Sequence, residues 1–584
     1  MKSLFRKKSL NAILKQSRNE EGAEHTLHKN LKLRDLTAFG IAAIIGAGIF
    51  STIGNAAAAG GPGVSLLFVI TAIACAFSAM CYAEFASRIP ISGSAYTYAY
   101  ASFGELFAWI IGWGLIMEYA VGNIAVAISW SGYFTSLLDG IHINGQQYFH
   151  IPEWMTCDYS TAHENYIKAV EYIKTNNICS CELVKHTPKY FEGYQAWLQA
   201  PTIFGTRCII DIPAFSIVVL ITALVYRGMK ESKRVGNMMV LLKLVIIIFV
   251  ISVGAAFVNV DYYNDFFPEG LGGMMKGVSG VFFAYIGFDA ISTTAEECEN
   301  PQRDLPRSMF WSLAICTVLY VLISLVLTGM VNYKELGVDD PLAYVFDKLD
   351  LKQFSLIISI GAVIAMSSVL LVFQMGQPRI WMSMSRDGLL PKKFSKIHKK
   401  YRTPSFATII TGIVVAVPAL FFTLTDMTDL TSIGTMFAFV LVCGGIIILN
   451  HETKEEHPEN IHYKVPYYNS KYILPFCWAI VITLVVIFNI EGMAEFFNFF
   501  NSPKQPFPEK IPLLMFIILS IFITIRAYIK NYSFIPVFGL LSNFYLMSEL
   551  GYRNWVNFSI WLVVGLFIYF LYSRKKSKLN HSAE

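Results

Sequence analysis

The chain of 584 residues is expected to form an all-α polytopic membrane protein, and three observations carry that expectation. It is 55% apolar and only 15% charged, with a mean hydropathy of +0.50, far from the average of soluble globular proteins. From Leu36 to Ala83 there are 48 consecutive residues without Asp, Glu, Lys or Arg, enough for two spans, and similar runs recur to the end. Lys and Arg gather in a few short segments between those runs. A transmembrane β-barrel would instead show short alternating segments of weaker hydrophobicity.

About fourteen spans follow in order, near 36–58, 64–86, 106–138, 209–229, 235–258, 275–296, 308–330, 353–384, 404–425, 430–449, 471–490, 510–529, 532–548 and 554–573. The start, MKSLFRKKSL, is basic but leads into polar sequence, so the first span is expected to serve as the insertion signal. Nine Lys and Arg precede Leu36. RGMKESKR joins the fourth and fifth spans, SRDGLLPKKFSKIHKKYR the eighth and ninth, and SRKKSK follows the last. An even span count puts all four on one side, which the positive-inside rule makes the cytoplasm. The opposite loops VNVDYYNDFFPEG and TLTDMTDL carry almost no Lys or Arg. The net charge of +5 therefore reports topology in a cell membrane (inner or plasma) with both termini cytoplasmic, and implies no nucleic-acid partner.

Between the third and fourth spans, residues 139–208 form a long polar loop on the outer side. It holds Cys157, Cys179 and Cys181, with Cys208 at its end, and on an oxidising side these suggest one or two disulfides with three complete pairings open. HENYIKAVEYIKTNN within it reads as a short surface helix. No chemistry attaches to the loop.

Chemistry lies inside the spans. The first reads FGIAAIIGAGIFSTIG, with Gly46 and Gly48 interrupting it near mid-membrane. The sixth reads VSGVFFAYIGFDAISTTAEE, with Gly287 and Asp289 in its middle. Opened helices free N–H groups, which favour a carboxylate, and C=O groups, which favour an ammonium. A pair of such interruptions in corresponding positions points to a midplane site, whereas GAG alone is often a packing face. Glu118 is the only ionisable residue between Glu105 and Asp139, about 20 Å along the third span. Lys243 stands alone between Arg234 and Asp261, roughly 13 Å deep. An ammonium there costs on the order of 2.5–3.5 kcal/mol by insertion scales, so it needs a partner or a role. Glu118 is one candidate partner, Ser367 and Ser368 others; a purely structural ion pair is the plainer reading. Asp289 could simply cap the second half of its broken helix. Glu296, Glu297 and Glu299, with Arg303 and Arg307, make either a solvated cluster or an inner gate.

TAFGIAAIIGAGIF, EYAVGNIAVAISWSGY, GVFFAYIGFDAISTTAEECENPQRDLPRS and GQPRIWMSMSRDGLLPKKF resemble the amino acid–polyamine–organocation superfamily, its cationic amino acid transporter branch in particular. The similarity resumes at FIPVFGLLSNFYLMSEL and NWVNFSIWLVVGLFIYFLYS. It implies a LeuT-like fold of two inverted five-helix repeats with broken helices 1 and 6. The chain would then divide into a basic segment 1–35, a ten-helix core 36–450, a cytoplasmic loop 451–470, four further helices 471–573 and a tail 574–584. The resemblance further implies that the N–H groups of Ala47, Gly48 and Ile49 hold a substrate carboxylate. The C=O of Ile44 and those near Phe283 and Ile286 would take its α-ammonium, with Phe283 as gate. Relatives often have Ser or Thr where this chain has Ala47, which offers no hydroxyl. Glu118 sits where cationic amino acid transporters keep a glutamate, and Lys243 where some proton-coupled relatives replace a bound sodium ion by a lysine. Unlike sodium, an ammonium can lose its charge.

The expectation is a secondary transporter of cationic or small neutral L-amino acids, proton-coupled, with Lys243 and Glu118 in the coupling. It would use no cofactor, and whether a small membrane subunit binds stays open. Exchange of amino acids, or sensing by the same fold, are the alternatives. No HExxH, GxSxG or clustered ligand pattern supports an enzyme, and His451, His457 and His462 fall in a polar cytoplasmic loop.

Overall fold

The structure, a computed structural model, describes residues 6–7, 31–89, 94–143, 146–147, 149–176, 188–203, 205–227, 232–401, 403–452, 463–488 and 507–581. It is all-α but for two short hairpins, His142–Ile143 with Gln146–Gln147 and Thr202–Ile203 with Thr206–Arg207. In lipid a helix satisfies its own backbone groups, which is why the apolar runs become helices. Among the described residues, eight helices are long and apolar enough to cross a membrane by length and composition. Shorter apolar helices lie at Ile212–Arg227, Ser405–Ala419, Ser470–Thr483 and Phe534–Ser548.

The helices that position the site come first. α1 (Leu33–Ile44) ends mid-segment, a π-helical turn (Gly48–Thr52) follows, and α2 (Ile53–Gly60) resumes. α3 (Val64–Arg88) leads to the short α4 (Ser94–Ser102) and then to α5 (Glu105–Gly140). The 139–208 loop contains α6 (Tyr159–Asn176), where a surface helix was expected, and α7 (Pro188–Gln199) packed against it. α8 (Ile212–Arg227) and α9 (Ser232–Gly254) follow. The next apolar segment is again interrupted, as α10 (Gly270–Met275), α11 (Val278–Phe283) and 3-10 turns over Asp289–Glu297. Then come α12 (Pro301–Met330), α13 (Pro341–Lys348), α14 (Lys352–Arg386), α15 (Ser405–Ala419) and α16 (Leu424–Glu452). α17 (Ser470–Phe488), α18 (Phe507–Lys530), α19 (Phe534–Ser548) and α20 (Tyr552–Ile568) follow, and short helical turns continue over Tyr569–Ser573, Arg574–Lys576 and Lys578–His581.

Burial is inverted relative to a soluble protein. On α9, Leu241 and Val245 are 64% and 55% exposed, while Lys243 between them is 0% exposed. Bulky aliphatic residues facing outward and a charge facing inward are what a hydrocarbon solvent selects. The core runs between α1, α3, α5, α11, α12, α14 and α16.

In the outer loop Cys157 and Cys208 are free thiols, so these two are not joined to each other; Cys179 and Cys181 lie outside the described residues. Cys157 Sγ donates instead to Glu153 O at 3.2 Å. His457 and His462 also lie outside the described residues.

Asp340 begins α13, between the seventh and eighth apolar segments, and its Oδ2 accepts from Ser136 Oγ of α5 at 2.6 Å. It keeps part of its surface open, yet lies deep among protein atoms. Desolvation pushes its carboxyl from the usual 3.8 up to about 7, against the Ser136 hydrogen bond, which lowers it. A raised folded-state value means the folded protein holds this proton more tightly than the unfolded chain. The contribution is therefore full below pH about 4 and lost as pH rises through about 7. Asp340→Asn should keep the Ser136 contact and flatten the melting temperature between those limits. A thermal melt series in detergent that leaves the slope unchanged refutes this.

Candidate functional site

The two interruptions meet. α1 stops because Ile45 turns to extended backbone (φ −77, ψ 100) between residues of low helix propensity. A Cβ on Gly48 would come within 2.3 Å of Ala284 Cα, so only glycine admits this crossing. Gly287, at φ +117, would press a Cβ to 2.9 Å from the Ala43 backbone. The Thr52 hydroxyl sits between Gly48 O and Gly280 O, at 2.8 and 2.9 Å, and joins the same two segments. Ala47, Gly48 and Ile49 are all buried here. Of their N–H groups, that of Ile49 already donates to Gly46 O at 3.2 Å. The Ile44 C=O is also engaged, accepting from Tyr320 Oη at 3.0 Å, with one lone pair left over. Phe283, 5% exposed, ends α11, and its C=O accepts from the Ile286 N–H at 3.2 Å.

Lys243 reaches from α9 to the end of α1. Its Nζ donates to Ala42 O at 3.0 Å and Ile45 O at 2.8 Å, the carbonyls left open where the helix unwinds. Neither serine proposed as a neighbour contacts it. Ser367 Oγ donates to Val363 O and accepts from Trp130 Nε1, and Ser368 Oγ donates to Ala365 O. Nor does Glu118 pair with it; Glu118 lies instead within electrostatic range of Asp289.

Glu118 and Asp289 are 2% and 1% exposed. Glu118 Oε2 and both carboxylate oxygens of Asp289 have no hydrogen-bond partner among the described residues. The hydroxyls of Tyr82, Tyr98 and Tyr119, buried beside them on α3, α4 and α5, are likewise without one. Thr435 on α16 lies within hydrogen-bonding reach of Glu118. Buried acids and hydroxyls left open cost free energy unless a proton, a cation or water joins them. Asp289 belongs to this buried polar cluster, and the backbone N–H groups of Gly287, Asp289 and Ala290 close to its carboxylate also put it where a helix cap would sit.

In the acidic cluster after the sixth segment, Glu297 pairs with Arg379 of α14 at 2.6 Å, and the Leu31 N–H donates to Glu297 O at 3.0 Å. Arg303 instead contacts its neighbour Asp304 at 2.8 Å. Sequence reading missed Arg379, Tyr320 and the three tyrosines. Arg379 had a signal, lying about two turns before Arg386 inside an otherwise apolar span; tyrosines in membrane helices have none.

Comparison with known proteins places the chain. A family profile described as amino acid permease matches residues 31–523, and one for the C-terminus of amino acid permeases matches 532–577. The branched-chain amino acid permease BcaP of Bacillus subtilis (strain 168) is 36% identical over 580 residues, covering 99% of each chain. The methylthioribose transporter of the same organism is 35% identical over 582 residues, covering 99% of this chain and 100% of its own. The vacuolar cationic amino acid transporter 4 of Arabidopsis thaliana is 29% identical over 637 residues, covering 100% of this chain and 97% of its own.

Proposed function

The chain belongs to the amino acid permease family, and from that premise we propose a proton-coupled, sodium-independent importer of cationic or small neutral L-amino acids. It works by alternating access through about fourteen spans, the first ten arranged as two inverted repeats of LeuT-like form. It sits in the cell membrane with both termini cytoplasmic.

The observation that carries the proposal is the Lys243 ammonium on the Ala42 and Ile45 carbonyls. A bound sodium ion would seek the same open carbonyls, so the lysine supplies the cation from within the chain. Because an ammonium can release a proton, the end of α1 can be held and freed by protonation. Substrate would lie where the broken segments cross, its carboxylate toward the N–H groups of Ala47 and Gly48, its ammonium toward the Ile44 and Ile286 carbonyls. Phe283 covers it, and Glu118 receives either a proton or the substrate's cationic end.

Two substrate readings have separate support. The open carboxylates of Glu118 and Asp289 favour a cationic side chain. The name of the 36% identical Bacillus relative favours branched neutral ones. Uptake of labelled arginine, alanine and leucine into proteoliposomes, under an inward proton gradient or an inward sodium gradient, separates them. The proposal expects accumulation of at least one substrate with protons and no added effect of sodium. Uptake that needs internal amino acid and survives collapse of the proton gradient would indicate exchange instead, and binding without flux a sensor.

A further inference from the structure

The last apolar helical stretch, Tyr552–Lys576, packs its end back onto the protein. After α20 it winds through a π-helical turn at Tyr569–Ser573 and crosses the cytoplasmic ends of α5 and α14. Ser573 Oγ donates to Leu389 O at 2.7 Å, and the Lys578 N–H to Asp387 O at 3.1 Å. Ser577 Oγ donates to Glu105 Oε2 at 2.6 Å. Glu105, only 3% exposed, also accepts from Tyr569 Oη at 3.1 Å and Tyr100 Oη at 3.2 Å. Tyr96 Oη donates to Asp387 Oδ2 at 2.8 Å. Tyr96 and Tyr100 both belong to α4, so Glu105 and Asp387 each bind α4 on one side and the tail on the other. α4 also carries Tyr98, part of the unsatisfied cluster around Asp289.

The tail has two faces. Ser573 and Ser577, one helical turn apart, are both 0% exposed. Arg574, Lys575, Lys576 and Lys578, between and beside them, are exposed. A basic run after a final span ordinarily reports topology alone. Here the pinned serines fix the helix end that carries the four cations, which stay exposed around it.

We propose that Arg574, Lys575, Lys576 and Lys578 form a binding site for the headgroups of anionic phospholipids in the cytoplasmic leaflet, and that lipid bound there clamps α4 in place through Glu105 and Asp387. Phosphate oxygens accept from a guanidinium and from ammonium groups, and the anionic leaflet concentrates them at this height. Seating the tail keeps Tyr96 and Tyr100 on their carboxylates, and thereby holds the cytoplasmic cap over the buried cluster. The inference rests on the tail contacts and not on which solute is transported.

Hydrogen–deuterium exchange of the full chain in nanodiscs tests it. In discs rich in phosphatidylglycerol, amides of 94–102 and 569–581 should exchange severalfold more slowly than in pure phosphatidylcholine. Exchange elsewhere in the core should stay the same. The combined variant Arg574→Gln, Lys575→Gln, Lys576→Gln, Lys578→Gln should lose that difference. Ser577→Ala should uncouple α4, leaving it fast in both lipids. Equal exchange of the parent in the two lipids overturns the proposal without recourse to any variant, as does an unchanged lipid response in the combined variant. Inorganic phosphate added to phosphatidylcholine discs should slow nothing; if it reproduces the effect, the site takes a soluble anion and the lipid assignment is wrong.

Discussion

Lys243→Ala should reduce proton-driven uptake to background while the protein still inserts and folds. The substitution removes the ammonium from Ala42 O and Ile45 O, at 3.0 and 2.8 Å, and leaves both carbonyls buried without that donor. Hydrogen bonds to a charged group contribute roughly 1.5–3 kcal/mol each, so the end of α1 loses several kcal/mol of its hold. A barrier or population change of that size corresponds to roughly a hundredfold or more in rate. Lys243→Arg separates charge from titration. Guanidinium can meet the same carbonyls but stays protonated in proteins. That variant should bind substrate and yet lose its response to the proton gradient. Substrate binding by calorimetry beside gradient-driven uptake distinguishes the two variants. Parent-like uptake by Lys243→Ala would remove the lysine from the mechanism.

The second large effect is expected at the crossing of the broken segments. Gly48→Ala places a methyl within 2.3 Å of Ala284 Cα and 2.9 Å of its nitrogen, atoms that no side-chain rotation can move. Overpacking typically costs about 1–3 kcal/mol, and more where backbone must shift. Here the shift separates the N–H groups of Ala47 and Gly48 from the sixth segment, so uptake should fall far more than the melting temperature does. Gly114→Ala is the control, since a methyl at that position would meet no heavy atom within 4 Å and lies on α5 four residues before Glu118. It should transport like the parent. Equal transport by both variants would show that the crossing tolerates widening.

How far the sequence reaches depends on whether a signal is local. Lys243 and Glu118 are anomalies that the hydrophobic context of their own segments exposes, and the two interruptions are marked locally by their glycines. Their partners are not. The carbonyls that receive Lys243 lie about 200 residues away, and no side-chain type marks them. A lone charge invites pairing with the other lone charge, yet Glu118 lies within electrostatic range of Asp289 while Lys243 binds backbone carbonyls. Tyr320 on the Ile44 carbonyl and Tyr133 on Phe50 O, at 3.0 and 2.6 Å, were hidden for the same reason. Span lengths also mislead. The apolar segments at 36–58 and 275–296 are long enough to cross, but each is divided by backbone that hydropathy cannot register. The acidic cluster at Glu296, Glu297 and Glu299 was visible, whereas its partner Arg379 comes from a different helix and only the fold supplies it.

The central claim is that Lys243 serves as a titratable cation where a bound ion would otherwise sit. A pH-sensitive dye trapped inside sodium-free proteoliposomes tests it directly, with substrate added outside. The parent should acidify the interior as substrate enters, and Lys243→Arg should not. Substrate entry without acidification in the parent, or acidification that persists in Lys243→Arg, would contradict the account.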